Sequence, residues 1–146
     1  RHLATGPVLP LTDKRMTRFV IMQWEAVDLI KEAIARMQGG EIFIPQLNAM
    51  RLEDLGYAMG AGSFHITGLR PGGEKIHERL ISDEEQGRLR RYMDTNTLMV
   101  VPSHRSWSVA PFGGIIAHVG GYESNQVALL SVEELKFRLT SDGARR

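Results

Sequence analysis

The sequence predicts an α/β chain with a small, partial sheet. Short apolar runs at 41–45, 63–69 and 98–102, closed by proline or glycine, alternate with stretches of helical period. The 146 residues carry 42% hydrophobic and 24% charged residues, enough to bury one ordinary core. Three such strands are half of what a complete doubly wound sheet commonly uses, so the sheet is expected to be incomplete.

Taken in order, residues 1–19 mix Pro7, Pro10 and Gly6 with short apolar pieces and read as a loop or edge strand. Ala26, Val27, Ile30, Ala33, Ile34 and Met37 then recur at helical spacing. Glu25, Asp28, Lys31, Glu32 and Arg36 fill the opposite face, and Gly39-Gly40 stops the helix. Its apolar face needs a partner, for which Glu41-Ile42-Phe43-Ile44-Pro45 is the candidate strand. Leu52, Leu55 and Met59 mark a shorter helix ending near Gly60-Ala61-Gly62, followed by a strand through Phe64 and Ile66. Arg70-Pro71-Gly72-Gly73 is a turn. A short helix is expected over 75–81. Ser82 with Glu85 has the form of a capping box, opening a polar helix through about Met93. Residues 103–126 carry four glycines with no period and read as an ordered loop or tail. A second capping box, Ser131 with Glu134, opens a last helix with Leu135 and Leu139 inside and a frayed end from Thr140. The expected division is therefore 1–102, an α/β portion, and 103–146, a glycine-rich loop and final helix.

Charge and composition exclude several classes. Eighteen Lys+Arg against 17 Asp+Glu give a net charge of +1, without the basic excess of a nucleic-acid binder. No cysteine is present, which removes disulfide frameworks and Cys-ligated metal sites and fits a cytoplasmic protein. No apolar run approaches the roughly 20 residues that span a bilayer. The chain starts at Arg1 with no signal peptide visible, so a polypeptide that continues upstream or was processed is expected.

Familiar catalytic signals fail residue by residue. Gly68 and Gly73-Glu74-Lys75 approach a P-loop, but Glu74 stands where lysine is required and Ile76 where Ser or Thr is. His77-Glu78 begins like a zincin, yet Ile81 replaces the second imidazole, and His2, His65, His104 and His118 have no ligand spacing. There is neither a G-x-S-x-G elbow nor a G-x-G-x-x-G dinucleotide turn. Arg79, Arg88, Arg90 and Arg91 follow acidic residues and suit a solvated helix face, with Tyr92 alone too little for base stacking. Arg15, Arg18 and Arg70 remain. A guanidinium matches phosphate oxygens, and Arg70 sits in a glycine-rich turn with Glu74 and Lys75 following. The simpler alternative is that Arg70 and Glu74 pair with each other or lie exposed, and spacing alone favours it.

Several ordered motifs shift that balance. Asp13-Lys14-Arg15-Met16-Thr17-Arg18-Phe19, Gly39 to Pro45, Met50-Arg51-Leu52-x-Asp54-Leu55 and Gly68-Leu69-Arg70-Pro71-Gly72-Gly73-Glu74-Lys75-Ile76-His77-Glu78 resemble stations of one family. That family is the nucleotide-sugar 4,6-dehydratases of polysaccharide biosynthesis, which are extended short-chain dehydrogenase/reductases. Its nearest branch acts on UDP-N-acetylglucosamine with inversion at C5. Residues 98–102 and Tyr122-x-Ser124-Asn125 through Glu134-Leu135 resemble the family's C-terminal tail.

The resemblance is to the C-terminal, substrate-binding portion of such an enzyme without its Rossmann core. It implies the role of UDP-sugar binding in an NAD(P)-dependent 4,6-dehydratase/5-epimerase of glycan biosynthesis. It also implies that the chain is inactive alone, because the family's Gly-rich cofactor turn and Tyr-x-x-x-Lys pair are absent: none of Tyr57, Tyr92 and Tyr122 has Lys four residues on. No catalytic, cofactor-binding or metal residue is therefore assigned. By resemblance, Arg18 and Arg70 contact the nucleotide diphosphate region, and Glu74 faces the nucleotide, at its ribose hydroxyls. The family turn reads Arg-Pro-Gly-Glu-Lys, and the extra glycine here moves Glu74 by up to ~3.5 Å along the chain. Expected partners are a UDP-sugar and either a cofactor-bearing N-terminal half or a second copy, covering apolar surface that the missing half leaves open. The alternative is a non-catalytic structural or assembly module derived from the same fold.

Overall fold

The computed structural model describes residues 6–91, 97–104, 115–117 and 120–143. It is a mixed α/β chain of short strands. The elements are β1 (Val8–Leu11), β2 (Thr17–Phe19), α1 (Gln23–Arg36), β3 (Ile42–Pro45), β4 (Ala49–Arg51), α2 (Leu52–Ala58), β5 (Ser63–Ile66), β6 (Arg79–Ile81), β7 (Leu89–Arg91), β8 (Thr97–Val100), β9 (Ile115–Ile116), β10 (Tyr122–Glu123) and α3 (Val132–Gly143). The chain weaves through two compact units: Arg1–Met22, Asn48–Glu78 and Glu123–Arg146 form one, Gln23–Leu47 and Arg79–Tyr122 the other.

In the second unit, β3, β8, β7 and β9 lie side by side in that order, all antiparallel. Strand β8 is central and every one of its residues is buried, which is why Leu98-Met99-Val100 reads as an unbroken apolar run rather than an alternating one. Ile44, Ile81 and Leu89 complete this core. Helix α1 packs against β3 as its period predicts, but it buries no residue fully. Val27, Ile30, Ile34 and Met37 stay 43–67% exposed along one stripe.

In the first unit, β1 runs parallel to β5, with Val8 opposite Ser63; the stretch read as a loop or edge strand thus holds two short strands, β1 and β2. A close backbone approach permits this. A Cβ on Gly6 would lie 2.1 Å from the Gly60 carbonyl oxygen, so only glycine fits beside the Gly60-Ala61-Gly62 turn. Strand β2 runs antiparallel to β4, and α2 packs on α3. Met16, Ala49, Leu130 and Leu135 form the core.

Three expectations change. The helix over 75–81 is absent: residues 71–78 are turns and bends, and β6 follows. Gly72 and Gly73 hold φ of +104° and +99°. The carbonyls of Lys75 and Ile76, which a helix would need, accept instead from Arg18. The polar helix through Met93 shortens to a single 3-10 segment, Asp83–Arg88. Its capping carboxylate forms as predicted, the Ser82 N–H donating to Glu85 Oε2 at 2.8 Å. Pairing with β8 then draws Leu89–Arg91 into the sheet, overriding helix propensity. Finally, α3 continues beyond Thr140 to Gly143, and Leu139 is 46% exposed while Leu135 is buried. Half of the expected loop over 103–126 lies outside the described residues; the rest includes β9 and β10.

Candidate functional site

The β2–β4 register sorts the candidate side chains by face. Thr17 is opposite Arg51, and Arg18 is opposite Met50. Side chains alternate across a strand, so Thr17 and Arg51 project to one face and Arg18 to the other. The segment after the glycine turn also divides between the two faces. Lys75 and Glu78 line an opening on the Arg18 side, whereas His77 lines one on the Thr17 side.

The Arg18 opening is a broad cavity of about 640 Å³, walled also by Arg70, Gly72 and Glu74. The structure therefore brings together all three residues that the motifs singled out. Arg18 Nη1 donates to the carbonyls of Thr17 (2.7 Å) and Ile76 (3.1 Å), and Nη2 to that of Lys75 (2.8 Å). Its Nε lies 3.2 Å from Glu78 Oε1. Four of the five guanidinium N–H groups are thus engaged. Arg18 ties β2 to the turn that carries the remaining site residues.

Arg70 and Glu74 pair, as the simpler alternative expected. Glu74 Oε1 accepts from Arg70 Nη2 at 2.7 Å and Nε at 3.2 Å, while Oε2 accepts the Arg70 backbone N–H at 2.9 Å. Two left-handed glycines curl the chain back, so the inserted residue does not separate the pair. The Arg70 hydrogen bonds hold the Glu74 carboxyl below its ordinary range. Even so, Arg70 is exposed over 78% of its side chain, and three of its N–H groups remain open to the cavity side or solvent. Lys75 adds an ammonium with no carboxylate partner among the described residues. The turn motif named it beside Glu74 without assigning it to the site.

The Thr17 face holds a buried hydroxyl chain. Thr17 Oγ1 is 2.8 Å from His77 Nδ1 and 2.6 Å from Ser124 Oγ. Ser124 Oγ also accepts the Glu78 N–H (2.9 Å) and donates to the Thr17 carbonyl (3.1 Å). Arg15 lies on this side, locked to Asp13, whose carboxyl its hydrogen bonds lower to about 2. Among the described residues no group of three or more His, Asp or Glu is placed to hold a metal. Neither β1 nor β5, which run parallel, leads directly through a glycine turn into a helix, so these two strands do not offer the usual dinucleotide pyrophosphate turn. No described helix is long and apolar enough to cross a membrane.

Comparison with known proteins bears on these residues. Residues 1–100 match the family model described as polysaccharide biosynthesis protein. Over 78 residues the chain is 45% identical to a UDP-N-acetylglucosamine 4,6-dehydratase (inverting) of Campylobacter jejuni subsp. jejuni serotype O:2, covering 53% of this chain and 23% of that one. It is 32% identical over 92 residues to a UDP-glucose 4-epimerase of Rickettsia conorii, covering 60% and 27% respectively. The X-ray structure of Pen from Bacillus thuringiensis superposes with a TM-score of 0.72 at 26% identity, over 90% of this chain and 39% of that one. The matched region thus spans about a quarter of the length of these curated relatives.

Proposed function

We propose that this chain, which belongs to the polysaccharide biosynthesis protein family, supplies the UDP-sugar-binding portion of a nucleotide-sugar 4,6-dehydratase. The observation that carries the reading is the convergence of Arg18, Arg70, Glu74 and Lys75 on one opening. Arg70 and Lys75 offer unengaged N–H groups to a diphosphate, the guanidinium as a planar fork and the ammonium as a point charge. Glu74 aims Arg70 and presents a carboxylate to ribose hydroxyls. Arg18 adds its charge and one remaining N–H, and holds the turn in place.

The redox steps of such a reaction need NAD(P) and a Tyr-x-x-x-Lys pair, which this sequence does not contain. They are assigned to a cofactor-bearing Rossmann half, and this chain is inactive alone. The exposed α1 stripe supports a covering partner, that half or a second copy, because its apolar residues sit in a row rather than scattered. It equally favours the second reading, a non-catalytic assembly module, for which light scattering would find a defined oligomer and titration no nucleotide-sugar binding.

The deciding experiment is titration of the chain with UDP-N-acetylglucosamine. Saturable binding is expected, weakened about tenfold by Arg70→Ala, a loss of about 1.4 kcal/mol. Unchanged affinity in that variant refutes the phosphate grip.

A further inference from the structure

The cavity on the Thr17 face, about 380 Å³, is lined by Lys14, Arg15, Thr17, Arg51, His77 and Asn125, with Leu129 at its edge. We infer that it is a second anion site, separate from the Arg18 opening, taking a small phosphate-type oxyanion. Three cationic side chains and no carboxylate line it. Two of those cations have carboxylates behind them: Lys14 Nζ is 3.2 Å from Glu53 and Arg15 Nη2 2.7 Å from Asp13. Arg51 has none among the described residues, so its whole planar fork is available to two oxygens of one ligand.

The floor of the cavity is preset. Ser124 Oγ has one proton, which its bond to the Thr17 carbonyl uses. Thr17 Oγ1 must then donate to Ser124 Oγ, and His77 Nδ1–H to Thr17 Oγ1, if every bond is to be made. This assignment makes Nδ1 a protonated nitrogen of the ring. A phosphate or phosphomonoester carries the matching feature, two charged oxygens for the Arg51 fork. Asn125 adds an amide able to give or take a hydrogen bond. Cross-strand pairing of Thr17 with Arg51 sets the fork beside the hydroxyl chain, so the position of Arg51 is fixed by backbone register and not by a flexible loop.

The test is a titration of the isotopically labelled 146-residue chain with inorganic phosphate, against chloride at matched ionic strength, followed by NMR. Saturating shifts are expected at Arg51, His77 and Asn125. Arg51→Gln should weaken them by about fivefold or more, equal to about 1 kcal/mol, while Arg70→Ala leaves them unchanged. Asn125→Leu, which touches no charge, should also weaken binding and serves if the Arg51 variant loses its native spectrum. Shifts confined to residues 70–75, shifts equally produced by chloride, or an Arg51→Gln titration identical to wild type would each overturn the assignment. UDP-N-acetylglucosamine should move the 70–75 signals instead, so the two sites fail or succeed independently.

Discussion

Replacing Arg18 by Met separates two roles that the guanidinium could play at the sugar-nucleotide opening. Met fills much the same volume but donates nothing. Four contacts disappear, yet they are not equal. The Ile76 carbonyl keeps the Thr17 N–H as a partner (3.0 Å), and the Thr17 carbonyl keeps Ser124 Oγ. The Lys75 carbonyl bond is exposed and water can replace it. The Glu78 ion pair is 22% and 44% exposed on its two sides, so it contributes at most about 1 kcal/mol. What remains are two part-buried charge-assisted bonds from Nη1, each discounted because its acceptor stays satisfied. The sum is a loss of about 2–3 kcal/mol, or roughly 5–10 °C in Tm for a chain of this size. Thermal unfolding followed by circular dichroism reads it directly. Arg18→Lys should lose nearly as much, because a single ammonium cannot bridge carbonyls of Thr17, Lys75 and Ile76 together. If Arg18→Met instead melts within a degree of wild type while UDP-N-acetylglucosamine affinity falls tenfold, the guanidinium works on the ligand and not on the turn. The positioning argument is then wrong.

Two further outcomes follow from the other face. Ser124→Ala removes a fully buried hydroxyl and leaves the Glu78 N–H and the Thr17 hydroxyl proton without their acceptor, so urea unfolding should show a loss of about 2–4 kcal/mol; a change below about 0.5 kcal/mol would mean water fills the gap. Asp13, lowered from 3.8 to about 2 by Arg15, contributes stability that is present above pH 4 and lost as pH falls through its folded value. The urea midpoints of wild type and Asp13→Asn should therefore differ at pH 5 and converge towards pH 2, and parallel curves across that range would contradict the pairing.

The sequence was legible wherever a local rule and the tertiary environment agreed. Proline-closed apolar runs became β3 and β8, and both capping boxes start at Ser82 and Ser131 as read. Between residues 75 and 93 the two parted. Helical composition there is ordinary, but the carbonyls of Lys75 and Ile76 answer to an arginine nearly sixty positions earlier, and Leu89–Arg91 to a strand that follows. No window of fifteen residues contains the arginine with those carbonyls, and the strand pairing, though near in sequence, leaves no mark on a helical period. The same limit hid Arg51 and His77. Neither has a partner in its own segment among the described residues, and the Thr17–Arg51 register and the Thr17–His77 bond place them around one cavity.

The inserted glycine shows how motif and geometry constrain each other. Counted along the chain, it displaces Glu74 from its station after Arg70, enough to break a contact made in an extended segment. Here it adds a second left-handed residue, and the pair of positive φ values turns the displacement into curvature. Glu74 returns to both the backbone N–H and the guanidinium of Arg70. A non-glycine residue at 73 would meet no neighbouring atom yet would be strained by its φ of +99°, so the constraint there is conformational and not steric. Two adjacent left-handed glycines thus bring Glu74 back to Arg70, a curvature that other residues at 72 and 73 would resist.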